Sequence, residues 1–268
     1  MRHSLPQNPQ FYVTAPQDCP YLDNQVERKL FTALYGSNSR RLNNSLSKQG
    51  FRRSQNVLYR PSCANCSACM SARISSRAFK PSKSQKRLLS KNSDIVRVVN
   101  PALATDAQYD LFKQYITARH PNGGMSDMDA NDFTAMIEET NVESKLIEYY
   151  AKKSGELELI SFSLVDILDD GISMVYSVFN PDFKERSLGT YMILDHNNLT
   201  LEMDLQYVYL GYWVQGSSKM DYKKRFSPLE VFTNDKWVCV SKSKITNNNT
   251  YKLDQQKHGM PIYLPSED

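Results

Sequence analysis

Leu157-Glu-Leu-Ile-Ser-Phe-Ser-Leu-Val-Asp-Ile167, Asp169-Asp-Gly171 and Ile172-Ser-Met-Val-Tyr-Ser-Val-Phe179 are two apolar, β-branched and aromatic runs joined by a tight turn. Such a pair reads as a β-hairpin. Leu146–Ala151 supplies a strand before it, across a turn at Ser154-Gly155. After it, Leu188–Met203 has helical length and composition, Leu205–Trp213 reads as a strand, Ser217–Phe226 as a helix and Trp237–Val240 as a strand. The fold class expected is therefore α+β with a mixed sheet.

The order strand, strand, helix, strand, helix, strand resembles the acyl-transferase fold of the GNAT superfamily. In that fold the loop entering the helix turns its N–H groups toward an acyl donor. Here the loop is Phe183-Lys-Glu-Arg-Ser-Leu-Gly-Thr190, and Tyr191 stands where the superfamily has a small residue. That departure argues against a coenzyme A pyrophosphate grip and leaves another acyl donor open.

Toward the amino terminus the pattern changes. Phe11–Val13 and Glu27–Leu34 look extended, Ser39–Lys48 reads as a polar helix stopped by Gly50, and Phe51–Tyr59 as one strand. Pro81–Asn92 is basic and Ser-rich, with Ser84 as a candidate cap for a helix through Leu89. Ile95–Val99 is a strand signal, and Asn100-Pro101 closes it. Thr105 is a candidate N-cap for a helix to Arg119, and Asn131–Glu139 reads as another. These signals predict a basic, cysteine-containing domain over residues 1–100, a GNAT-like domain over 101–240 and a polar tail over 241–268.

Charge supports that division. The chain carries a net +4, but residues 1–100 hold 17 Lys and Arg against four acids, which leaves +13 there and −9 beyond. Asymmetry of this kind points to a polyanionic partner. Attraction between the two halves is the competing explanation. Phe51, Tyr59 and Phe79 lie among the cations, and aromatic rings mixed with basic groups suit single-stranded RNA.

Cys63-Ala-Asn-Cys66-Ser-Ala-Cys69 and the upstream Cys19 place four of the five cysteines in the first 70 residues. No apolar leader opens the chain and no run of about 18 apolar residues occurs, so it reads as soluble and cytoplasmic. Clustered cysteines in such a compartment serve more often as ligands or catalysts than as disulfides. The spacing fits zinc or an iron–sulfur cluster, and equally a set of reduced, packed thiols. Cys239, in an apolar run, reads as a core thiol. His3, His120, His196 and His258 show no ligand spacing.

Several motifs together carry a closer resemblance. Cys19-Pro-Tyr-Leu22, Tyr59-Arg-Pro-Ser-Cys63 with its two following cysteines, Phe79-Lys-Pro-Ser-Lys-Ser-Gln85, Arg186-Ser-Leu-Gly-Thr-Tyr191, Tyr209-Leu-Gly-Tyr-Trp213 and Lys219-Met-Asp-Tyr-Lys223 resemble the arginyl-tRNA–protein transferase family, most of all its bacterial, leucine-transferring branch. The match covers about residues 11–240. Asp23-Asn24-Gln25 departs from the Pro-Gly-Arg expected there. The resemblance implies transfer of leucine from leucyl-tRNA to proteins beginning with Asp or Glu, which marks them for N-degron degradation. It implies no cofactor for the transfer and no membrane.

On that reading Arg186, Gly189, Thr190 and Tyr222 are the catalytic candidates. Arg73, Lys83 and Arg87 are candidates for reading the acceptor's acid, since guanidinium and ammonium groups suit a carboxylate. Tyr209, Tyr212, Trp213, Lys219 and Lys223 are candidates for shaping the donor and acceptor pocket, with core packing as the alternative for the aromatics. Arg52, Arg53 and Arg60 are the tRNA-backbone candidates, and Cys19, Cys63, Cys66 and Cys69 the metal candidates. Arginyl-tRNA as donor, a coenzyme A-dependent acetyltransferase with a metal-binding module, and a non-enzymatic iron–sulfur or RNA-binding sensor are the rival readings.

Overall fold

The computed structural model of the chain describes residues 9–121, 123–153, 155–217 and 219–240. In chain order its elements begin with β1 (Phe11–Val13), β2 (Gln17–Asp18), β3 (Val26–Glu27), β4 (Lys29–Ala33), α1 (Ser39–Lys48), β5 (Arg52–Ser54), β6 (Val57–Pro61) and β7 (Cys69–Ser75). They continue with α2 (Lys83–Lys91), β8 (Val96–Pro101), α3 (Asp106–Arg119), α4 (Ala130–Glu138), β9 (Ser144–Lys153), β10 (Glu156–Leu168), β11 (Gly171–Phe179) and α5 (Leu188–Glu202). β12 (Tyr207–Val214), β13 (Leu229–Thr233) and β14 (Lys236–Val240) complete the order, with 3₁₀ turns at Lys184–Arg186 and Asp221–Arg225. The architecture is α+β. None of the helices among the described residues is long and apolar enough to cross a membrane.

The chain forms two compact units. The first comprises Met1–Arg73 and Leu210–Asp268, and the second Ile74–Tyr209. The chain leaves the first unit within β7 and re-enters it within β12.

In the first unit β1, β4, β6 and β5 form an antiparallel sheet in that order. The expected single strand Phe51–Tyr59 is in fact the β5–β6 hairpin. Gln55, at φ +46°, turns the chain without a glycine to announce it. β13 and β14 form a second hairpin through Asn234 and Asp235, both at positive φ, the backbone that a two-residue hairpin turn needs. The helix expected over Ser217–Phe226 shrinks to the 3₁₀ turn at Asp221–Arg225, bracketed by Gly216 and Pro228. Phe51 is 2% exposed and belongs to the core with Leu46 and Leu58, so it offers no face to a base. Cys239, expected in the core, is exposed on β14.

In the second unit the sheet runs β12-β11-β10-β9-β8. β11 and β12 are parallel and the other pairs antiparallel, which makes the sheet mixed. α5 is the crossover that a parallel pair requires. Ile147, Tyr149, Ile160, Ile172 and Val165 pack against Leu188, Met192 and Leu199 of α5. Leu146, Phe162, Leu164 and Val178 pack against Phe112 and Ile116 of α3 and Phe133 and Ile137 of α4. α3 starts at Thr105 with a capping box to Gln108, as its sequence announced. α2 starts at Ser82, not Ser84, with a capping box to Gln85. Phe79 is buried. Residues 241–268, expected as a polar tail, lie outside the described residues, as do Ser154, His3 and His258.

Candidate functional site

The first unit contains a cavity of about 70 Å³ walled by Cys19, Tyr21, Leu22, Tyr59, Cys63, Cys66, Cys69 and Tyr212, with Glu27 and Lys29 at its margin. β6 supplies Tyr59 and β12 supplies Tyr212, and the loops at residues 19–25 and 62–68 close it. Tyr212 is fixed from its phenol, which donates to the Tyr59 carbonyl at 2.9 Å and the Gly50 carbonyl at 3.3 Å. Lys29 pairs with Glu27 at 2.9 Å. Burial pushes the Tyr21 phenol up to about 12, so it stays neutral at physiological pH.

The four N-terminal cysteines share this cavity and form no disulfide. They do not present a finished ligand set. Among the described residues, no three or more His, Cys, Asp or Glu side chains are grouped as a metal ion would need them. Burial also raises the Cys63 thiol, and it pushes the Cys69 thiol up to about 12, with the neighbouring thiols adding to the rise. Among the described residues the arrangement gives no support for a zinc ion or an iron–sulfur cluster, and no step below passes through one.

Behind the cavity wall, Lys223 is 3% exposed. Its ammonium donates to the Tyr212 carbonyl and approaches the Met220 sulfur at 3.8 Å. Burial, with a smaller push from Arg52, lowers this amine from 10.5 to about 7. Gly211 stands at φ +82°, a backbone that favours the glycine in Tyr209-Leu-Gly-Tyr-Trp213, and the Arg52 guanidinium lies close over it. The same guanidinium acts electrostatically on Tyr21 and Tyr212, both in the cavity wall. Trp213 is 4% exposed and its Nε1 has no hydrogen-bond partner among the described residues. Lys219 and Tyr222 are exposed.

The other arginines of this unit are used internally. Arg53 is 5% and Arg60 8% exposed. Arg53 donates to the Gln55 carbonyl at 2.8 Å, and Arg60 lies over the Phe51 ring at 4.8 Å. Neither presents its guanidinium to solvent, where a phosphate backbone would have to meet it. Arg73 bonds Glu230 at 2.8 Å and stacks 4.2 Å from the Trp237 ring centre. It has a carboxylate already.

In the second unit, the loop before α5 brings Arg186, Gly189 and Thr190 together. Arg186 makes a bidentate bridge to Asp94 at 2.8 and 2.9 Å. Asn92, fully buried, donates to the Arg186 carbonyl at 3.0 Å. Ser187, at φ +46°, opens α5, and no side chain caps that end. A methyl at Gly189 would meet Phe179 at 3.3 Å, so the glycine lets α5 close onto β11. Tyr191 is 7% exposed and packs against Tyr149. Tyr209 is buried and donates to Asp170 at 3.1 Å. Lys83 and Arg87 are exposed on α2. Sequence reasoning had no signal for the half-buried pairing of Tyr149 and Arg97 with Asp195, which ties α5 to β8 and β9.

A model described as "Arginine-tRNA-protein transferase, N terminus" matches residues 17–87, and its C-terminal counterpart matches residues 107–233. An aspartate/glutamate leucyltransferase of Ruegeria pomeroyi is 59% identical over 90% of this chain and 88% of its own length. The chain belongs to the arginine-tRNA-protein transferase family. Other members with the leucyltransferase name are 54% identical in Dinoroseobacter shibae, over 100% of this chain and 99% of that one, and 55% identical in a Jannaschia species, over 94% and 88%. Among solved structures, L-PGS from Bacillus licheniformis matches at a TM-score of 0.39 with 11% identity over 54% of this chain and 45% of that one, too slight a likeness to bear on chemistry. An arginine-tRNA-protein transferase passes an aminoacyl group from a tRNA to a protein, and that is the chemistry the site has to serve.

Proposed function

We propose that this chain transfers leucine from leucyl-tRNA to the α-amine of cytoplasmic proteins that begin with Asp or Glu, and so commits them to an N-degron pathway. The observation that carries this reading is identity of 54–59% over nearly the whole length to relatives named aspartate/glutamate leucyltransferase. The reaction needs little from the enzyme beyond binding and positioning. The ester of an aminoacyl-tRNA is already activated. The acceptor's ammonium, with a free pKa of about 7.7–8, loses its proton readily near neutral pH. The amine nitrogen then bonds to the ester carbonyl carbon, a tetrahedral oxyanion forms, and the C–O bond to the terminal ribose breaks as a proton passes to the departing oxygen. Holding the partners in line and stabilising that oxyanion are the main sources of rate.

On this proposal the β11–α5–β12 crossover of the second unit is GNAT-like, and its loop receives the ester end of the donor. The uncapped N-terminus of α5, with Gly189 in its first turn, offers N–H groups to the developing anion, while the Thr190 N–H is held by the Ser187 carbonyl at 2.9 Å. Asp94 holds Arg186 in one orientation beside it. In the first unit the tyrosine-walled cavity receives the acceptor's first residue. Arg52, a tRNA-backbone candidate in the sequence, is the cation assigned to its acid, because its guanidinium lies over Gly211, beside Tyr212 of the cavity wall. Arg73 is engaged by Glu230, and the exposed Lys83 and Arg87 would be screened by solvent. The test is to offer leucyl-tRNA, arginyl-tRNA or acetyl-coenzyme A with peptides that differ only in their first residue. Leucine on Asp and Glu peptides alone is expected, and acetylation without RNA would contradict the proposal. Arg52→Met should then cut the preference for Glu over Gln by about ten- to hundredfold, the worth of one charge-assisted hydrogen bond.

A further inference from the structure

We infer that α2 is the phosphate rail for the acceptor end of the donor tRNA, a role that rests on the leucyl-tRNA reading above. Lys83, Lys86, Arg87 and Lys91 recur at the three- and four-residue spacing that puts side chains on one helical stripe, and all four are exposed. The opposite side is anchored: Gln85 is buried, and Leu89 packs on the core that holds α5. The stretch from Arg77 to Ser93 contains no acid. Among the described residues, no carboxylate pairs with Lys83, Lys86 or Arg87. A stripe of cations held on a rigid element with nothing to neutralise it is the electrostatic complement of a nucleic-acid backbone.

What makes the stripe more than a solvated face is where it ends. Lys91 donates to the Glu185 carbonyl at 2.7 Å. Asn92 and Asp94, which follow directly, bind the Arg186 carbonyl and guanidinium. The C-terminal end of α2 is thus tied to the loop that opens α5. At nine residues and about 1.5 Å each, α2 is about 13 Å long, enough to track several consecutive phosphates. A strand laid along it reaches the α5 loop at one end, and that is where the aminoacyl ester has to be.

The experiment titrates leucyl-tRNA against the full chain at several salt concentrations, with wild type, Lys83→Gln/Lys86→Gln/Arg87→Gln and the rescue variant Lys83→Arg/Lys86→Arg. The glutamine triple should bind about tenfold more weakly at low salt, and its log–log salt slope should be shallower by about two. Its acceptor-peptide KM at saturating leucyl-tRNA should be unchanged. The arginine variant should keep the wild-type slope. Circular dichroism separates this from misfolding, and a triple that fails to fold leaves the single Lys86→Gln to show a slope reduced by about one. An unchanged slope in a folded triple overturns the inference. So does a changed acceptor KM with an unchanged slope, which would make α2 the reader of the acceptor's acid. Wild type that transfers leucine while the triple binds tRNA normally refutes the rail alone. Wild type that transfers nothing refutes the transferase reading instead.

Discussion

Arg53, Arg60 and Arg73 of the first unit and Lys83, Lys86 and Arg87 of the second are the same kind of residue put to opposite uses. The first three are buried against a carbonyl, a phenyl ring, and a carboxylate with an indole. They hold the β5–β6 hairpin and the β13–β14 hairpin in place. The last three stand in solvent on one stripe of α2. A charge total counts all six alike. Burial separates the cations that hold the fold from those available to a polyanion.

Phe51 separates the two uses by the largest margin. If the first unit offered aromatic rings to RNA, Phe51→Ala would leave stability untouched and weaken tRNA binding. Because the ring is core and carries Arg60, the replacement should cost about 4 kcal/mol in urea denaturation. Arg73→Ala comes next. It strands Glu230, itself only 22% exposed, and removes the stack on Trp237, so a loss of about 3 kcal/mol is expected with the tRNA salt slope unchanged.

Lys223 is a third case, a buried cation whose cost varies with pH. Its amine keeps its proton up to about 10.5 in the unfolded chain but releases it at about 7 in the fold. Between those values the unfolded state binds more protons, so wild-type stability should rise with pH there, by up to about 1.4 kcal/mol per unit. Below pH 7 both states are protonated, and the full cost of burying the charge remains. Lys223→Met should be more stable than wild type at pH 7, with the gain shrinking toward pH 10. Parallel stability curves for the two would contradict the buried assignment. At the far end of the scale, Lys86→Gln should change stability by no more than about 0.5 kcal/mol, since nothing in the fold depends on it.

How far the sequence showed this depends on the element. The run from residue 144 to 179 alternates strands with clear turns, and Thr105 with Gln108 wrote the start of α3 in full. β7 was hidden because Met70-Ser-Ala-Arg-Ile74 has small and charged residues in a buried strand. The β13–β14 turn was missed as well, although Asn234 and Asp235 are residue types that tolerate the positive φ it uses. At the site, the cysteine rhythm pointed to residues that do line one cavity, but spacing cannot report whether thiols converge to ligating geometry. The alignment of Arg186 by Asp94 joins residues 92 positions apart, beyond any local pattern.

Four peptides identical except for a first residue of Asp, Asn, Glu or Gln, each incubated with the purified chain and either leucyl-tRNA or arginyl-tRNA, report donor and acceptor choice together by mass spectrometry. The expected result is one added leucine at the α-amine of the Asp and Glu peptides and no addition to the Asn and Gln peptides. Arginine added in place of leucine, or equal leucine on Glu and Gln, would contradict it.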